Sequence, residues 1–131
     1  MHIHILGICG TFMGGLATLR EIRKPGFFEA LSARTRALVD GLVGAAKDAG
    51  VPMVGDCEGG MFGFFFATAL PQNYPAVLAT DKERFNRFFH AMLDRGVYLA
   101  PAMYEAGFVS AAHSAADLQA TITAAAQSLR S

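Results

Sequence analysis

The stretch Val-Pro-Met-Val-Gly-Asp-Cys-Glu-Gly-Gly-Met-Phe-Gly-Phe-Phe-Phe-Ala, residues 51–67, decides the fold. Val51 to Gly55 reads as a short strand, Asp56 to Gly60 as a turn, and Met61 to Ala67 as a second strand, which together predict a hairpin. Phe62, Phe64, Phe65 and Phe66 are too apolar for a strand with one wet face. This strand is therefore expected at the centre of its sheet, covered on both sides or facing another subunit.

On the N-terminal side, Leu31, Leu38, Leu42 and Ala46 recur at helical spacing, with Arg34, Arg36, Asp40 and Lys47 left for water. They predict a helix from about Phe27 to Asp48, closed at Gly50. Thr18 to Lys24 reads as the end of an earlier helix, stopped at Pro25-Gly26. On the C-terminal side, Pro71 to Pro75 marks a loop. Thr80-Asp81-Lys82-Glu83 has the form of a capping box, with Thr80 as the cap and Glu83 reaching back. Phe85, Phe88, Phe89, Met92 and Leu93 then form one apolar helix stripe ending near Gly96. Val97 to Ala100 and Gly107 to Ala111 read as strands. Ser114 with Asp117 opens a last helix that buries Leu118, Ile122, Ala125 and Leu129. Helix, hairpin, helix, two strands, helix is an α+β order: a small, mainly antiparallel sheet covered by helices.

The first residues follow a different pattern. His2 to Ile8 alternates toward a strand, and Gly7, Gly10, Gly14 and Gly15 surround a short loop of the kind that cradles phosphate on backbone amides. No second parallel strand and no matching acidic residue follow to complete a nucleotide-binding unit.

Composition narrows the functional classes. The chain has 131 residues, 53% of them hydrophobic, with eleven basic and eleven acidic side chains. This is one globular domain with no basic excess for nucleic acid. No apolar run approaches the roughly 20 residues of a membrane helix. Cys9 and Cys57 lack metal-ligand spacing and form no disulfide framework, so a cytoplasmic location is expected. A mean hydropathy of +0.33 points to apolar surface that expects a partner.

Several blocks occur in the order of one family. They are Gly-Leu-Ala-Thr-Leu-Arg-Glu-Ile (15–22), Lys-Pro-Gly-Phe-Phe-Glu-Ala-Leu (24–31), Gly-Gly-Met-Phe-Gly-Phe-Phe-Phe (59–66), Arg-Phe-Phe-His-Ala-Met-Leu (87–93) and Gly-Val-Tyr-Leu-Ala-Pro (96–101). Most diagnostic is Glu-Ala-Gly-Phe-Val-Ser-Ala-Ala-His-Ser (105–114). Residues 15–131 resemble the C-terminal domain of the glutamate-1-semialdehyde 2,1-aminomutase family, within the class-III aminotransferases. The resemblance implies the C-terminal small domain of a fold-type I enzyme that uses pyridoxal 5′-phosphate to convert glutamate-1-semialdehyde to 5-aminolevulinate in tetrapyrrole biosynthesis. It also implies two partners, a large cofactor-binding domain and a second subunit of a homodimer. Met1 to Ala17 is similar instead to the N-terminus of the ligase family that joins cell-wall peptide to UDP-N-acetylmuramic acid. Gly15-Leu16-Ala17 fits both families. The expected organisation is therefore a chimera, with 1–17 ligase-like and 18–131 the aminomutase small domain.

The family's cofactor is held by a large-domain lysine. Lys24, Lys47 and Lys82 read as solvated surface charges, so the chain is expected to be inactive and to bind no cofactor alone. Taken by itself, Glu105 reads as an exposed loop glutamate. The resemblance implies a catalytic position facing cofactor and substrate in the intact enzyme, where a carboxylate holds an amino group or relays protons. Tyr104 either lines the substrate side beside it or covers the sheet edge. His90 and His113 read as structural, and His2 with His4 as too few ligands for a metal. Gly10-Thr11 lies too close to Gly15 to take over the family's phosphate-binding threonine. Two other readings compete: a non-catalytic module that associates with itself, and part of the ligase. The ligase lacks support because no Gly-x-x-x-x-Gly-Lys-Ser/Thr loop occurs.

Overall fold

The hairpin forms, shifted toward the C-terminus of its expected first strand. The computed structural model describes residues 11–130. The expected strand His2–Ile8 and the Gly7 and Gly10 part of the loop lie outside them. In chain order the elements are α1 (Thr11–Ile22), α2 (Phe27–Asp48), β1 (Val54–Glu58), β2 (Met61–Phe65), α3 (Tyr74–Leu78), α4 (Lys82–Asp94), β3 (Gly107–Phe108) and α5 (Ala115–Ser128). The fold is α+β, with one antiparallel sheet in the order β1-β2-β3. The phenylalanine-rich strand is central, as expected, but only one of its faces is covered by the chain's own helices.

The strand boundaries differ from expectation for local reasons. Asp56, Cys57 and Glu58 were expected in the turn, yet they pair with Gly63, Phe62 and Met61. Only Gly59 and Gly60 remain to reverse the chain. Val97–Ala100 does not join the sheet: the Val97 amide donates to the Met92 carbonyl and finishes α4. Gly107–Ala111 pairs only through Gly107 and Phe108, with one further bond from the Val109 amide to the Gly60 carbonyl at 2.8 Å. Beyond it the Ser110 amide turns to the His113 ring.

Capping side chains set the starts of α3, α4 and α5. α2 has the expected bounds, and Ser114 with Asp117 makes the expected reciprocal capping box on α5. Asp81, not Thr80, caps α4: its carboxylate accepts from the Arg84 amide at 2.9 Å. Thr80 is occupied closing α3, since its amide and hydroxyl both donate to the Val77 carbonyl. α3 itself lies where only a loop was expected, capped by Asn73, whose side chain accepts from the Ala76 amide at 3.0 Å. Gly14 and Gly15 fall inside α1, not in a loop.

The core lies between the inner face of the sheet and α2, α4 and α5. Phe64 and Phe66 meet Phe85 and Phe88 of α4 at ring separations of 5.5–5.9 Å, mostly edge to face. Such rings combine large burial with a favourable quadrupole arrangement. Leu42, Ala46 and Met92 are also fully buried, while Leu93, expected in the stripe, faces water. On α5, Leu118 and Ala125 are buried as expected, and Ile122 and Leu129 are half-buried against the core. α2 and α5 approach closely at Gly41, where a Cβ would lie 2.3 Å from Ile122 Cδ1. Only glycine fits that crossing without displacing the neighbour.

Candidate functional site

Strand alternation places the site. Phe62 and Phe64 point into the core, so Met61, Gly63 and Phe65 point outward. Their cross-strand partners Glu58, Asp56 and Val54 share that outer face, and so does Phe108 opposite Met61. Met61, Tyr104 and Phe108 are large apolar side chains left exposed there, Phe108 by 70%. α2, α4 and α5 leave this face uncovered.

The loop before β3 forms the rim of this face. A turn in which the Glu105 amide donates to the Ala102 carbonyl at 3.0 Å presents Tyr104 and Glu105 consecutively. Two clefts open beside it. One, of about 220 Å³, runs between β2 and the irregular Tyr98–Ala100 segment, with Gly107 and Phe108 on its far side. The other, of about 330 Å³, lies over the hairpin and includes Asp56, Glu58, Met61, Phe65 and Tyr104. Glu105 lines both, and Tyr104 lines only the second. The Tyr104 ring stands 6.2 Å from that of Tyr74 on α3.

Fixed charges surround the second cleft. Asp56 accepts from the Cys57 amide at 2.8 Å and from Arg36 at 3.0 Å. The amide first, and then the guanidinium, hold its carboxyl below the usual range. Arg36 also donates to the Cys57 carbonyl, tying α2 to the hairpin. Burial pushes the Cys57 thiol up, which favours its protonated form.

The other sequence-marked residues lie elsewhere. The Nδ1 of His113 accepts from the Ser110 amide, and His90 stands beside Phe89 on α4. Lys24 pairs with Glu21, and Lys47 and Lys82 face water; no lysine lines either cleft. The residues present therefore do not fit a Schiff-base cofactor site, which requires a lysine in a confining pocket. Among the described residues no cluster of three His, Cys, Asp or Glu side chains is placed to hold a metal. Nor is any helix among them long and apolar enough to cross a membrane. Glu58 and the Tyr98–Ala100 wall were not singled out from sequence. The uniformly apolar sequence of β2 does not mark which face is outer, so only the strand register brings Glu58 to it.

No family model matches the chain. Glutamate-1-semialdehyde 2,1-aminomutase from Leptothrix cholodnii is 72% identical to it over 120 residues, and the match covers 88% of this chain and 28% of that protein. This chain is similar to one part of that aminomutase. The aminomutase of Polaromonas naphthalenivorans is 71% identical over 111 residues, 85% of this chain and 25% of the relative. The chain thus spans about a quarter of the length of the curated aminomutases it matches. Solved structures agree on the fold. An omega-transaminase from Sphaerobacter thermophilus superposes with a TM-score of 0.72 at 21% identity, over 88% of this chain and 26% of the transaminase. FumI from Sphingopyxis sp. MTA144, solved as its PLP internal aldimine, gives 0.67 at 29% identity, over 87% of this chain and 25% of FumI.

Proposed function

We propose that this chain supplies the small domain of a glutamate-1-semialdehyde 2,1-aminomutase and forms one wall of its active site. The observation that carries this reading is the 72% identity over 120 residues. In the assembled enzyme the cofactor would supply the electron sink, held by a large domain. What this chain brings is the outer face of its sheet and the rim at Tyr104 and Glu105. Glu105 acts as a carboxylate that holds an amino group or moves a proton beside the substrate. Tyr104 packs along the substrate side. Support for these roles is that Glu105 borders both clefts, with Tyr104 next to it on the second.

In isolation the same face is apolar and uncovered, which supports self-association of the chain when no large domain is present. Residues 1–17 remain a second-source segment in this account. The Leptothrix match covers 88% of this chain. Independent genomic sequencing across codons 10–20 tests the join; an uninterrupted native gene would refute an assembly artefact.

The domain reading is tested by grafting. The matched segment replaces its counterpart in the Leptothrix aminomutase, and 5-aminolevulinate formation is assayed. Retained activity supports the reading, and a folded, cofactor-loaded but inactive graft contradicts it.

A further inference from the structure

In the turn joining β3 to α5, one imidazole nitrogen takes up two polar contacts from Ser110. The Ser110 amide donates to His113 Nδ1 at 2.9 Å, and the Ser110 hydroxyl lies 3.1 Å from the same atom. That hydroxyl accepts from the Ala112 amide at 3.3 Å, which leaves its own hydrogen for the ring. Two donors converging on Nδ1 require a lone pair there and assign the ring proton to Nε2. The His113 amide completes the turn by donating to the Ser110 carbonyl at 3.1 Å.

We infer that His113 is a proton-operated latch on this turn. Uptake of a solvent proton at Nδ1 converts the acceptor into a donor, with no other bond made or broken. The Ser110 hydroxyl can rotate and accept from the new N–H. The Ser110 amide cannot reverse, so two N–H groups face each other at 2.9 Å and the ring must leave. Charged side chains from both flanking helices lie at the turn. Arg34 of α2 donates to the Ala111 carbonyl at 3.1 Å and to the His113 carbonyl at 3.4 Å. Asp117 of α5 is held by the Ser114 amide and hydroxyl at 2.8 and 2.7 Å. The turn follows the short β3, whose Val109 amide keeps its bond to the Gly60 carbonyl, so the release is confined to Ser110 and the ring. This latch rests on local geometry and stands whether or not the aminomutase reading does.

The test is amide exchange by NMR on the full chain at about pH 8 and about pH 5, the interval over which imidazoles usually change charge. Protection factors, which remove the intrinsic pH dependence of exchange, are compared with the His113 ring-proton titration. Loss of one such bond should lower Ser110 protection about fivefold to tenfold, in step with the ring. His113→Asn retains an acceptor that does not titrate, and should hold Ser110 protection constant across the same interval. A Ser110 amide indifferent to the ring, or an Asn variant that keeps the pH step, overturns the latch. So does a parallel fall in the amides of α4, which would mark general unfolding.

Discussion

Glu105 is the residue on which a chemical role rests, and its sequence context alone says little about it. An exposed loop glutamate has no periodicity or spacing signature, and only the block from 105 to 114 drew attention to it. In the grafted aminomutase, Glu105→Gln should lower kcat about a hundredfold with a far smaller change in KM, as loss of a proton-handling or amine-holding carboxylate does. Steady-state kinetics with a check of cofactor loading measures this. Three aspartates that accept from backbone amides make a separate prediction. Asp117 is held below the usual range by the Ser114 hydroxyl and amide, Asp81 by the Arg84 amide, and Asp56 by the Cys57 amide. A depressed folded value means that the unfolded chain takes up protons first. The stabilisation is therefore complete above about pH 4 and is lost as pH falls through the folded values. Urea unfolding across that range should show stability falling with acid, and Ser114→Ala should flatten part of the slope.

At the scale of elements, long periodic segments were legible and brief ones were not. α2 could be read because Leu38, Leu42 and Ala46 recur on one face of six turns. The hairpin was legible for its Gly59-Gly60 reversal and its run of phenylalanines. Tertiary competition decided the rest. Val97 was claimed by the end of α4, Thr80 by the end of α3, and Ser110 by a histidine ring. None of these choices appears in local propensity. The helix crossing is a direct check on the packing. Gly41→Ala should cost about 1–3 kcal/mol through overlap with Ile122. In an Ile122→Ala background that cost should largely vanish, a non-additivity that urea unfolding of the four proteins would reveal. Met92→Ala, at a side chain with no exposure, should cost about 2–5 kcal/mol.

For the molecule as a whole, one sheet face is covered and the other is open. The covered face gathers the phenylalanine cluster and three helices; the open one carries Met61, Tyr104 and Phe108. Hydropathy of the whole chain signalled excess apolar surface, but its position required the strand register. Met61→Lys with Phe108→Glu should shift sedimentation of the isolated chain toward monomer and reduce binding of a hydrophobic dye. Those changes should leave the helical circular dichroism intact, because neither side chain enters the core. The most direct test of the central claim is the rate at which the grafted Leptothrix aminomutase forms 5-aminolevulinate. The account predicts a rate within about tenfold of the parent, equivalent to no more than about 1.4 kcal/mol of lost transition-state stabilisation. A graft that folds and binds its cofactor yet forms no product would contradict it.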